Sequence, residues 1–180
     1  MNQPFPEKGG VMTKTCDKTT LDTTRSYIKN SWKQAIKRRD SRADFILPYD
    51  YIPPCVDGDL TDLYYWDTYF TNLGLYQDGL EKYAYQNIED LKFCLRKFGC
   101  VPNMCRADGA DHASQPPLLA MMVDDYYQQA GDRAFLEDSY QALCTEYLFW
   151  TQKRTAPNGL AHYGTNHTNT ESMIALASYY

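Results

Sequence analysis

The stretch Asp62–Leu75, DLYYWDTYFTNLGL, holds five aromatic side chains in the seven positions from Tyr64 to Phe70 and one acidic residue directly after the tryptophan. Thr61 or Asp62 is suited to cap a helix and Gly79 to end it, while Leu63, Trp66, Phe70 and Leu73 recur between them at helical spacing. The segment predicts a helix with one face of large apolar residues. Trp66 and Asp67 point about 100° apart on such a helix, which turns Asp67 toward a neighbouring surface. Tyr65, Tyr69, Asn72 and Tyr76 share a second face, expected to be wet and aromatic. A carboxylate accepts two hydroxyl hydrogen bonds at once, and a ring beside it covers the apolar face of a sugar. The structural alternative is a helix cap or an ion pair for Asp67, with the rings in the core.

Helical periodicity extends along most of the chain. Residues 1–20 lack it and read as a loose leader, leaving 21–180 as the folded portion. Ile28, Trp32, Ala35 and Ile36 predict a helix from Leu21 to about Lys37; a long irregular connection follows, interrupted at Pro48, Pro53 and Pro54. Beyond the opening stretch, Leu80, Ala84, Ile88, Leu91, Leu95 and Phe98 form a stripe closed by Gly99. Pro116 and Pro117 suit the first turn of a helix that runs through Leu118, Met121 and Met122 to Gly131. Asp132 caps the next, lined on one side by Leu136, Tyr140, Leu143, Tyr147 and Trp150, and a last helix begins near Thr168 or Asn169. No strand pattern of comparable length competes, so the class is all-α, built of helical hairpins.

Composition narrows the function. A net charge of −5 and a pI near 5.1 disfavour nucleic acid as a partner. With no apolar run long enough for an export signal or a membrane span, the expected location is the cytoplasm and the six cysteines are expected to be reduced. Cys100, Cys105 and His112 match no familiar zinc spacing, so no metal site is expected. Asn166 opens an Asn-x-Thr acceptor that a cytoplasmic chain would leave idle. The sixteen tyrosines suit polar ligands with apolar faces.

A second chemistry-bearing stretch is Phe98–Leu119, FGCVPNMCRADGADHASQPPLL. It presents Asn103, Arg106, Asp108, Asp111, His112, Ser114 and Gln115 just before the proline-started helix. Each alone reads as a turn or cap residue, but together they make a rim of hydroxyl-binding amides and charges.

These motifs resemble the trehalase family. YYWDTYFTNLGL is similar to its Tyr-x-Trp-Asp-x-Tyr signature, FGCVPN to its Phe/Tyr-Gly-x-Ile/Val-Pro-Asn segment, and SQPPLLAMM to its Arg-Ser-Gln-Pro-Pro run; EYLFW and APNGLAHYG continue the likeness, which covers roughly Tyr27 to Gly164. The resemblance implies an (α/α)6 toroid that hydrolyses an α-glucosidic bond with inversion and needs no cofactor. It implies that Trp66, Asp67, Asn103, Ser114 and Gln115 contact the glucose, with Tyr65, Arg106 and His112 as secondary candidates.

Three departures qualify it. No basic residue stands in CVDGDLTD, where trehalases carry an arginine ahead of the signature, and Ala113 replaces the arginine before Ser-Gln-Pro-Pro. Each lost charged donor costs on the order of 1.5–3 kcal/mol in a desolvated site, so toroid hydrolases of glucosylglycerate or mannosylglycerate are the alternative, and Arg106 or His112 would substitute. The third departure is length: twelve helices need roughly 300 residues. The family's catalytic Asp and Glu fall beyond SMIALASYY, which makes this chain an N-terminal portion with no catalytic residue, in need of the remainder of the toroid. A helical interaction module with an aromatic surface is the rival class.

Overall fold

The computed structural model describes residues 17–38, 47–106, 109–111, 113 and 115–164; the predicted last helix, with His112 and Ser114, lies outside the described residues. Helix α1 (Lys18–Ala35) opens on Asp17, whose carboxylate accepts the N–H of Thr20 at 2.7 Å. It is followed by the two-residue strand β1 (Leu63–Tyr64), α2 (Tyr65–Gln77) and α3 (Glu81–Phe98). Strands β2 (Met104–Arg106) and β3 (Gly109–Asp111) lead into α4 (Leu119–Ala130) and α5 (Arg133–Lys153). The fold is all-α in class, with one small antiparallel sheet in the order β1-β2-β3 that the sequence reading did not foresee.

Helices α2 to α5 pack as successive hairpins around Ile88, Leu91, Leu95, Leu119, Met122 and Val123. The α3 stripe read from the sequence is largely the buried one, and Gly99 ends it in the left-handed region at φ 72°. Asp132 caps α5 as expected, accepting the Phe135 N–H at 3.0 Å. Pro116 and Pro117 precede α4, which begins at Leu119, so they guide the approach rather than form the first turn.

Two faces differ from the sequence expectation. On α2 the residues read as the apolar face, Trp66, Phe70 and Leu73, are exposed, whereas Tyr65 and Asn72 on the supposedly wet face are buried, together with Thr68 and Leu75. The cause is the helix start: Leu63 belongs to β1, and β1 fixes the rotation of α2 by pairing with β2. Small polar residues can then be buried because the Thr68 hydroxyl and the Asn72 carbonyl oxygen find partners, although the Asn72 amide nitrogen is buried with none. Thr68 Oγ1 donates to Tyr64 O at 2.5 Å, and Asn87 Nδ2 donates to Asn72 Oδ1 at 3.0 Å. On α5 the side lined by Tyr140 and Tyr147 faces outward, and the buried residues are Phe135, Ser139, Ala142 and Glu146.

The irregular segment before β1 is held by polar side chains of α3. Asn87 Oδ1 accepts the Ile52 N–H at 3.1 Å, and Asp90 Oδ1 accepts that of Tyr49 at 2.9 Å. The buried Lys92 ammonium reaches Glu89 at 2.5 Å and Asp138 of α5 at 2.8 Å, and lies 4.5 Å from the centre of the Phe135 ring. Among the described residues no helix is long and apolar enough to cross a membrane.

The burial of α2 generates a paired test. Leu75→Ala is expected to lower unfolding free energy by about 2–5 kcal/mol, and Leu73→Ala by less than about 1 kcal/mol, measured by urea denaturation; a reversed order would restore the face read from the sequence.

Candidate functional site

The first turn of α2 is where the three sequence motifs meet. A helix start leaves backbone N–H groups without intrahelical partners, and here other segments supply them. Tyr65 N donates to Asn103 O at 3.0 Å, and Trp66 N donates to Gln115 Oε1 at 3.0 Å. The Asp67 carboxylate accepts from its own backbone N–H. Asn103 is fixed from its other side as well, its N–H donating to Ala113 O at 3.1 Å. Residues 49 apart in the chain are thereby joined by one amide side chain, which the sequence placed on a rim but could not tie to Trp66.

Asp67 sits half-buried in this turn, and burial raises its carboxyl above the usual range against the pull of its own N–H. Its neighbour Trp66 is 40% exposed and packs edge-on to Phe70, ring centroids 5.9 Å apart. Asn103, whose carbonyl takes the Tyr65 N–H, is buried. Arg106 ends β2 opposite Gly109; its side chain, like all of Ser114 and His112, lies outside the described residues.

Tyr65 has a different place. Its ring is 1% exposed, and its hydroxyl donates to Glu146 Oε1 at 2.5 Å while accepting the Leu119 N–H at 2.9 Å. Burial and the neighbouring carboxyl push its phenol well above the usual range. Tyr65 therefore fixes the helix and does not face an opening. Glu146, absent from the sequence reading, is the residue this arrangement adds; burial raises its carboxyl to about 7. A lone glutamate in a helix centre carries no sequence signal of burial, although its i+4 spacing from Ala142 on the α5 face is visible once that face is known.

The arrangement has the chemical groups that a polyhydroxylated ligand would need. It combines an exposed indole face, a partly desolvated carboxylate able to accept two hydroxyl hydrogen bonds, and amides that donate and accept. Cys105, weighed above with Cys100 and His112 as a metal set, lies against Cys94.

Comparison with solved structures gives the fold class first: neutral trehalase Nth1 from Saccharomyces cerevisiae matches with a TM-score of 0.58 over 86% of this chain and 32% of that one, at 22% identity. At the level of sequence, the trehalase family model matches residues 6–175. The chain belongs to the trehalase family. Rabbit (Oryctolagus cuniculus) trehalase is 32% identical over 125 residues, covering 69% of this chain and 21% of that protein. A periplasmic trehalase of Salmonella paratyphi C is 35% identical over 134 residues, covering 71% and 22%. The chain thus spans about a fifth of the length of these curated relatives.

Two outcomes follow from this geometry. Gln115→Ala leaves the Trp66 N–H without its acceptor and is expected to cost about 1–2 kcal/mol, with faster hydrogen exchange at the Trp66 amide than at Leu75. The second concerns pH. Glu146, raised to about 7 from 4.5, and Asp90, raised to about 8 from 3.8, both hold protons more tightly in the folded state. Their stabilisation is complete below pH about 4 and is lost as pH rises toward 8, Glu146 alone accounting for about 3 kcal/mol. Urea midpoints measured from pH 4.5 to 8 should fall with rising pH, and Glu146→Gln should flatten the slope up to about pH 7.

Proposed function

We propose that the chain supplies part of the glucose pocket of an enzyme that hydrolyses an α-glucosidic bond, with trehalose or a trehalose-like disaccharide as substrate and inversion at the anomeric carbon. The observation that carries the reading is the convergence of the Trp66-Asp67, Asn103 and Gln115 motifs on one helix start, through the Trp66 N–Gln115 and Tyr65 N–Asn103 hydrogen bonds. In this reading the Trp66 ring covers the apolar face of the sugar. Asp67 accepts from two of its hydroxyls, and the amides of Asn103 and Gln115 with Ser114 complete the rim. Tyr65 and Glu146 hold the turn in place.

The proton-transfer carboxylates are contributed from outside these 180 residues. Asp124 and Asp125 lie side by side on α4, and Asp90 and Glu146 are enclosed in the packing, so none of the four suits an acid–base pair across a scissile bond. The remainder of the toroid is the expected partner. A shallow apolar groove of about 510 Å³ on α5, lined by Tyr140, Leu143, Cys144, Tyr147 and Leu148, supports this as a face for further helices. Because Ala113 stands where the family has an arginine, hydrolysis of glucosylglycerate or mannosylglycerate is the second reading, with Arg106 or His112 supplying the positive charge. A cytoplasmic setting is part of the proposal on sequence grounds, while relatives are found in the periplasm.

The test is kinetic, on the protein extended to family length. Asp67→Asn is expected to lower kcat/KM for trehalose about 10- to 100-fold, the loss of a charge-assisted hydrogen bond, with the melting temperature essentially unchanged. Unaltered kcat/KM would remove Asp67 from the pocket, and faster turnover of glucosylglycerate than of trehalose would favour the second reading. The 180-residue chain alone should release no glucose.

A further inference from the structure

Cys94 lies in the last turns of α3, and Cys105 is the middle residue of β2, in register with Leu63 of β1 and Ala110 of β3. Their Sγ atoms are 3.1 Å apart, and the two side chains are 0% and 1% exposed. We propose that Cys94 and Cys105 are a disulfide-forming pair, closed when the chain folds in contact with a low-molecular-weight disulfide oxidant. A disulfide holds its sulfurs at about 2.05 Å, so the two atoms need approach by only about 1 Å.

The timing follows from the surroundings. Contact with Cys105 and burial both raise the Cys94 thiol well above its usual range, and no oxidant reaches it once α3 covers the sheet. Exchange therefore takes place on the folding chain. The Cys94 thiolate attacks the oxidant's sulfur and expels one thiolate; the Cys105 thiolate then attacks the Cys94 sulfur and expels the second. Two thiol protons are released, and the oxidant gains two electrons. The positions are 11 apart in sequence, so the bridge closes a short loop that contains Asn103 and ties the hairpin to α3. It does so whether or not the site binds sugar.

The experiment refolds the full 180-residue chain from urea in a buffer of reduced and oxidised glutathione, traps free thiols by alkylation, and maps tryptic peptides. Two of the six thiols should be lost, and Phe93–Arg96 should appear linked to Phe98–Arg106. Because the second peptide also carries Cys100, backbone fragmentation before Pro102 assigns the link to Cys105. Oxidised wild-type protein should melt about 6–12 °C above its own reduced form, a comparison that needs no variant, and Cys94→Ser should abolish the link. Six alkylated thiols, or a bridge to Cys100 or any other cysteine, would overturn the proposal.

Discussion

The Tyr65 hydroxyl donates to Glu146 on α5 and accepts the N–H of Leu119 at the head of α4, so one buried oxygen fixes three helices relative to one another. Its strength comes from enclosure. A hydrogen bond to a carboxyl group in a low-dielectric interior is strong, and removing either partner strands the other without water. Because Tyr65 is the first residue of α2, whatever holds its ring also sets the direction in which Trp66 and Asp67 leave the helix axis. The strand pairing of Leu63 and Tyr64 with β2 supplies the second constraint, and Gln115 the third. The candidate site is thus defined less by its own side chains than by the closure of one helix end.

A second set of buried polar groups, carried by α3, performs the same service for other segments. Asn87 and Asp90 hold the backbone of the irregular segment, and Lys92 joins α3 to α5 through Asp138 and the Phe135 ring. The helix that carries the apolar stripe therefore also carries the groups that order the chain around it. Hydrophobic burial alone would leave these segments free to slide; directional partners give each a single position.

Much of the fold was legible in the sequence because local signals and the packed structure agree. The stripe of α3, Gly99 and Asp132 are determined within a few residues of themselves, by periodicity, left-handed backbone and a side-chain cap. The faces of α2 and α5 were not legible. Each helix has large apolar residues on more than one side, so periodicity left two rotations open, and only the β1–β2 pairing and the burial of Glu146 choose between them. The meeting of Asn103, Gln115 and Trp66 was implied by family resemblance. Its cause, the unsatisfied amides of a helix start, is a long-range matter that no window of sequence contains.

The seam between α1 and the remaining helices rests on different physics. A methyl group added at Gly74 would come within 3.1 Å of the Trp32 indole, which lies directly on the α2 backbone there and donates to Asp78 at 2.6 Å. Ala35 is the only fully buried residue of α1. A long helix anchored by one indole and a small footprint can undock as a separate cooperative unit while the hairpin core stays folded. With the other two tryptophans, Trp66 and Trp150, replaced by phenylalanine, Trp32 becomes an optical reporter whose emission follows the detachment of α1.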